Sequence, residues 1–345
     1  MPKDLTVSER LALIKRHTEE IISEEELLSL LKEKKKPVVY WGTAITGKPH
    51  IGYLLCVLKL VDFIKAGFKV KILLADVHGA LDSTPWNILE YRYQYYAEAL
   101  KGLFYAVGGK LHDFEVIRGS SFQLGKPYIS DLLKLATIVS LHDARKAATE
   151  VVKQVEGDQS PLAGFLYPLM QALDEEYLGV DIQYGGIDQR KILVFAREYL
   201  PKLGYSSRIE VMTPLIPSLT EGGKMSASNL KSKVDLLDPP EEIRKKIMAA
   251  YCPEGNPLNS VLAFVKYVIM VLKEEKKEPF IIHRDKKFGG DVAYTYYDFL
   301  EQDFIAKKLH PLDLKNAVAQ EIIEIVQKID RKKLEKLAQK AYSSE

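Results

Sequence analysis

The sequence predicts an α/β fold, a parallel sheet covered by helices, followed by a mainly α-helical region. Three observations predict it. Short apolar runs alternate with amphipathic stretches between residues 38 and 117, joined by short connections. Glycines close the amphipathic stretches, at Gly67 and at Gly108-Gly109. Beyond Lys231 the pattern is mostly helical, and Pro239-Pro240 marks a new start.

The elements follow in order. Residues 5–34 read as charged amphipathic helix, with Ser23 and Glu26 as a capping box before Leu27, Leu28, Leu30 and Leu31. After Pro37, Val38-Val39-Tyr40-Trp41 is a strand that opens into the glycine-rich turn 42–47. Helix 51–66, strand 70–75, helix 88–107 and strand 114–117 come next. Residues 127–155 are helical and include the basic segment 142–153. Helix 161–178, strand 181–184 and helix 189–200 complete the alternation. The most apolar stretch, 261–272, is short and contains Lys266, which fits a buried helix and not a bilayer span. A domain boundary is expected near residue 230.

Composition excludes several function classes. The 345 residues are 47% apolar and 28% charged, as in ordinary globular chains. A net charge of +2 gives no global argument for nucleic-acid binding, so that case rests on local patches. Two distant cysteines, Cys56 and Cys252, suit a reducing compartment and neither a disulfide framework nor a cysteine-rich metal site. The charged start of the chain is unlike a secretory signal.

Parallel sheets bind ligands at the carboxyl ends of their strands. After the first strand, Gly42 to Tyr53 delivers His50 to a helix start, where N–H groups and the helix dipole favour an anion. Gly52 lets a bulky nucleotide approach. An incidental histidine at a helix start is the other reading, and neither a dinucleotide fingerprint nor a P-loop is present. Downstream, Gly222-Gly223-Lys224-Met225-Ser226-Ala227-Ser228 reads as a mobile cationic loop able to close over a polyphosphate, or as a polar linker. In helix 161–178, Tyr167, Gln171 and Asp174 form one stripe among apolar residues, either a binding stripe or a solvated face, while Glu175-Glu176 reads as facing solvent. Asp174 can accept from a phenol hydroxyl and Tyr40 can add a second contact.

Together the two phosphate signals carry a resemblance. Pro49-His50-Ile51-Gly52 and Lys224-Met225-Ser226-Ala227-Ser228 resemble the "HIGH" and "KMSKS" motifs of class I aminoacyl-tRNA synthetases. Tyr53 and Ala227 depart from those motifs, each removing one phosphate contact. Tyr167-Pro168-x-x-Gln171-x-x-Asp174 and Gly185-Gly186-Ile187-Asp188-Gln189-Arg190-Lys191 resemble the tyrosine-binding segments of archaeal and eukaryotic tyrosyl-tRNA synthetases. The resemblance implies a helical segment 1–36, a Rossmann-like catalytic domain 37–228 with a dimerisation insertion at about 125–165, and an anticodon-binding domain 229–345. It implies a cytoplasmic, homodimeric enzyme that uses tyrosine, tRNA(Tyr) and ATP with Mg²⁺, without a permanently bound cofactor, a dedicated metal site or a membrane. It assigns His50, Lys224, Ser226 and Ser228 to catalysis, and Tyr40, Asp76, Gln123, Tyr167, Gln171, Asp174 and Gln189 to tyrosine. Gly42, His50, Gly52, Gly186, Asp188, Lys224 and Met225 go to ATP. Arg145, Arg190, Lys191, Phe288 and Asp313 go to tRNA. The end at residue 345 implies that the extra carboxyl-terminal domain of animal relatives is missing. Rival readings are a tryptophanyl enzyme, a nucleotidyltransferase acting without tRNA, and an inactive RNA-binding protein.

Overall fold

The computed structural model describes residues 5–110, 113–149, 161–225, 229 and 231–343. A six-stranded sheet forms its centre. In chain order the strands are β1 (Glu20–Ile22), β2 (Val38–Ala44), β3 (Lys69–Ala75), β4 (Phe114–Arg118), β5 (Ile182–Gly186) and β6 (Ile209–Thr213). Their spatial order is β1-β6-β5-β2-β3-β4, and every pair is parallel except β1 with β6. The chain runs from β2 outward to β4, then returns to β5 on the other side of β2. The strand order therefore reverses between β2 and β5, where the carboxyl ends of a parallel sheet leave a crevice.

Helices α1 (Val7–Lys15) and α2 (Glu24–Glu33) flank β1, so residues 5–34 are two helices and an edge strand, not one helical stretch. Three residues of strand are recruited by pairing with β6, which no local pattern announces. The reciprocal capping box forms at Thr6 and Glu9. At Ser23 only the hydroxyl caps, because the Glu26 carboxylate pairs with Arg197. Helix α3 (Tyr53–Lys65) anchors this segment: Lys59 Nζ donates to the last carbonyls of α1, at 2.7 Å to Arg16 O, and Asp62 binds Arg16.

Helices α4 (Asp76–Leu81), α5 (Leu89–Ala106), α6 (Lys126–Ile138), α7 (Leu141–Ala148), α8 (Ala163–Tyr177) and α9 (Arg190–Tyr199) complete the α/β part. The expected helix 127–155 is broken at Val139–Ser140, where Ser140 caps α7. Helix α8 tolerates Pro168 inside it, buried in the core. The carboxyl-terminal region holds α10 (Pro240–Ala249), α11 (Ser260–Phe264), a π turn at Val265–Ile269, α12 (Met270–Lys276), α13 (Tyr297–Ile305), α14 (Pro311–Val326) and α15 (Arg331–Ala341). It also contains a hairpin, β7 (Phe280–Ile282) with β8 (Val292–Tyr294), which the helical reading of this region did not include. One apolar core runs from Ile14 through the sheet to Tyr342. No described helix is long and apolar enough to cross a membrane.

Strand β6 lay outside the expected elements because Glu210 interrupts its apolar run. That carboxylate is fully buried, and so is Glu175 of α8, which the sequence placed in solvent. Desolvation pushes both well above the ordinary carboxyl range; Glu175 raises Glu210 further, Asp174 raises Glu175, and Arg197 and Arg208 lower both.

Candidate active site

Two adjoining cavities of about 240 and 290 Å³ open where the strand order reverses. Both are lined by His50, Tyr53, Gln171, Gln189, Lys224 and Met225. The first continues along β5 to Gly186 and Asp188. The second runs inward past Tyr167 and His78 and ends at Tyr40 and Asp174.

The inner end is polar within an apolar wall. Tyr40 is fully buried on β2, its hydroxyl 3.5 Å from the Gln171 carbonyl. Asp174 is 1% exposed. Its Oδ1 accepts from Gln123 Nε2 and from the Tyr128 hydroxyl, each at 2.8 Å. Its Oδ2 has no hydrogen-bond partner among the described residues. Burial pushes this carboxyl up to about 8. Gln171 donates to Gln189 Oε1 at 3.1 Å, joining the middle of α8 to the start of α9.

At the mouth, His50 is 7% exposed, and burial with nearby Lys233 holds its imidazole down to about 3, so the ring is neutral at pH 7. Its Nδ1 accepts from Gly52 N–H at 3.2 Å, which puts the ring hydrogen on Nε2 as a donor. Gly52 is needed for this ring: a Cβ there would lie 2.8 Å from His50 Cε1 and 3.4 Å from Met225 Sδ. Tyr53, the departure from the motif, packs edge-on against the imidazole at 5.4 Å, with its hydroxyl 3.1 Å from Thr43 Oγ1.

The glycine pair makes a hairpin. Gly222 and Gly223 take φ of 78° and 73°, and Ser218 and Met225 bond back across it. This places Lys224 Nζ 2.5 Å from Asp188 Oδ2, a half-exposed ion pair at the cavity mouth. Gly186 is pinned too, since a Cβ there would meet Asp188 at 2.6 Å and Leu215 at 2.7 Å. Ser226 and Ser228, with Lys153, lie outside the described residues.

Some expected residues are not on the cavity walls. Asp76 turns away: Arg118 Nε, at 2.6 Å, and the Ser120 backbone and hydroxyl take its oxygens, so it anchors α4. Gln123 stands behind Asp174. Arg190 pairs with Glu20 of β1, and Lys191 follows it on the exposed side of α9. Arg145 is exposed on α7, its guanidinium 5.7 Å from the Phe165 ring centroid. Phe288 is 61% exposed on the β7–β8 connection, with Lys287 Nζ 4.9 Å from its ring centroid, and Asp313 lies in the first turn of α14. Arg284 ties that connection to Lys308 O, just before α14.

Sequence reasoning missed Tyr128, which orients Asp174 from α6, and the strip Lys233–Asp235, which pairs with the His50 turn. A lone tyrosine in an amphipathic helix gives no signal; contact across 46 residues does. No group of three or more His, Cys, Asp or Glu side chains among the described residues is placed to hold a metal ion.

Comparison with known proteins adds the following. Residues 32–327 match the family described as tRNA synthetases class I (W and Y). A cytoplasmic tyrosine–tRNA ligase of Gallus gallus is 47% identical over 97% of this chain, which spans 63% of that relative's length. The Saccharomyces cerevisiae cytoplasmic tyrosine–tRNA ligase is 41% identical, and this chain spans 88% of it. A solved tyrosyl-tRNA synthetase of Archaeoglobus fulgidus, complexed with L-tyrosine, matches with a TM-score of 0.88 at 40% identity, covering 95% of this chain and 100% of that one.

Proposed function

The chain belongs to the class I tRNA synthetases of the tryptophan and tyrosine type, and from that membership we propose that it is a tyrosine–tRNA ligase. It activates L-tyrosine with ATP to tyrosyl-adenylate and pyrophosphate, then transfers tyrosine to the 3′ end of tRNA(Tyr). The observation that carries this reading is the unpartnered, buried Asp174 Oδ2 at the closed end of a cavity whose mouth is His50 and Lys224.

The phenol lies against Tyr40 and Asp174, and the ammonium group against Tyr167, Gln171 and Gln189, all on that cavity's wall. ATP occupies the neighbouring cavity, its ribose near Gly186 and Asp188 and its phosphates toward the start of α3. The tyrosine carboxylate attacks the α-phosphorus and pyrophosphate leaves. No enzyme nucleophile is required, and the protein contributes position and charge. His50 donates from Nε2. Lys224 exchanges Asp188 for the phosphates, a small penalty because an exposed pair contributes about 1 kcal/mol or less. Mg²⁺ enters with ATP.

Arg190 and Lys191 sit beside the cavity to receive the acceptor stem, with Arg145 as a further phosphate contact. Phe288 and Asp313 meet an unpaired anticodon base by stacking and by hydrogen bonding. Residues 37–228 form the catalytic domain, with residues 1–36 before it and 229–345 as the anticodon domain. The enzyme works in the cytoplasm as a homodimer through the 125–165 segment, where Leu133 and Leu141 are 64% and 59% exposed.

Amino-acid-dependent ATP–pyrophosphate exchange tests the reading. Wild type should respond to tyrosine among the twenty amino acids. Asp174→Ala should lose roughly 10- to 100-fold, from a lost hydrogen bond to a charged group, while its circular dichroism stays native. Exchange that survives this substitution removes Asp174 from the pocket.

A further inference from the structure

Given the tyrosine reading above, we propose that His78 is a further specificity residue: its Nε2–H donates to the substrate's phenol oxygen, whose own hydrogen goes to Asp174 Oδ2. His78 is 2% exposed and lines the same cavity as Asp174. It stands on α4, which follows β3 directly and is fastened by Asp76 to Arg118 and Ser120.

The hydrogen-bond chain behind the cavity fixes the tautomer. Gln123 Nε2 is 2.8 Å from Asp174 Oδ1 and 3.3 Å from His78 Nδ1. An amide NH₂ has two hydrogens, one for the carboxylate and one for the ring. Nδ1 therefore accepts, and the hydrogen of the neutral imidazole sits on Nε2. Burial holds this ring down to about 4, so it is neutral at pH 7.

His78 Nε2 and Asp174 Oδ2 are both buried without a hydrogen-bond partner among the described residues, and they lie 3.9 Å apart. With the carboxyl ionised, one is a donor and the other an acceptor. An oxygen about 2.8 Å from each spans that gap with normal hydrogen-bond lengths. A phenol hydroxyl has the matching pair, one hydrogen to give and a lone pair to receive. Phenylalanine would leave both buried atoms unsatisfied, so the histidine discriminates by a hydrogen bond that only the right substrate completes.

The test compares wild type, His78→Leu and His78→Gln in ATP–pyrophosphate exchange with tyrosine and with phenylalanine. His78→Leu should lower kcat/KM for tyrosine by about tenfold, the worth of one neutral hydrogen bond, and leave that for phenylalanine unchanged or raised. His78→Gln, which carries an N–H donor near the Nε2 position, should recover most of the tyrosine activity. An equal fall for both amino acids means that His78 only packs against the Tyr167 ring, 4.5 Å away, and overturns the proposal. So does an unchanged tyrosine value. A wild-type chain that does not activate tyrosine overturns the functional reading itself; an active wild type whose His78→Leu variant keeps its discrimination overturns the role of His78 alone. Should His78→Leu not fold, ¹⁵N spectra of the wild-type imidazole decide. An Nε2–H tautomer whose resonance moves with tyrosine but not with phenylalanine supports the assignment, and an Nδ1–H tautomer ends it.

Discussion

Asp174 lines the cavity, holds one oxygen against Gln123 and Tyr128, and keeps the other buried without a hydrogen-bond partner among the described residues. Burial pushes its carboxyl up to about 8, against about 3.9 for an unfolded aspartate. Between those values the folded chain holds a proton that the unfolded chain has released. The stability linked to this group is therefore fully present below about pH 4 and is lost as pH rises toward about 8, at no more than about 1.4 kcal/mol per pH unit. A phenol hydroxyl donating to Oδ2 favours the ionised form, so tyrosine binding at pH 7 should release protons. Calorimetry in buffers of different ionisation enthalpy measures that number. Tight binding with no proton exchange would mean that the hydroxyl does not reach this carboxylate.

Two elements make the site rigid for different reasons. The turn before α3 is set by the absence of a side chain at Gly52, because His50 occupies the space a methyl group would need. Gly52→Ala should swing the imidazole off its Gly52 hydrogen bond and lower kcat for adenylate formation by about tenfold or more, the worth of one well-placed donor. Tyrosine affinity, measured by fluorescence titration, should stay unchanged; a parallel loss of affinity would place the effect on the whole fold. Strand β6 is set by burial, and it carries Glu210 near Glu175 of α8, both carboxylates without a hydrogen-bond partner among the described residues. Both carboxyls are raised, so the folded chain keeps their protons above the unfolded value of about 4.3 and loses stability as pH climbs from there. Glu210→Gln removes one such group without changing its shape. Its Tm should match wild type at pH 4 and exceed it at pH 8. Equal Tm values at both pH values would show that Arg197 and Arg208 already compensate the charge.

Across the whole molecule, the helical region is knitted to the α/β part. Lys328 Nζ donates to Ala106 O at the end of α5, Lys333 pairs with Glu98, and the Arg92 guanidinium lies 3.6 Å from the Tyr342 ring centroid. The amino-terminal segment reaches α12 through Arg16 and Glu275. Helices α6 and α7 behave differently and leave Leu133, Ile138 and Leu141 exposed, as are Leu124 before α6 and Leu162 before α8. Exposed apolar side chains on two successive helices fit a second copy of the chain. Sedimentation velocity should give twice the chain mass of 39.1 kDa for wild type and the single mass for Leu133→Glu. A variant that still sediments at the doubled mass would move the interface elsewhere.

The alternation of strands and helices, the helix starts and stops, and the meeting of Tyr40, His50, Asp174 and Lys224 at one crevice were legible in the sequence. Apolar period, caps and glycines act over a few residues and reveal the elements, while the resemblance to known motifs implied that the four site residues meet. What happens between distant segments was not legible. Edge strand β1 exists because β6 lies beside it. Glu175 looked solvated until β6 covered it, Asp76 turned to Arg118 instead of the cavity, and Lys224 found Asp188. Those outcomes depend on which side chains are brought within about 3 Å across the fold, and burial then decides their protons. Tertiary packing alone sets both.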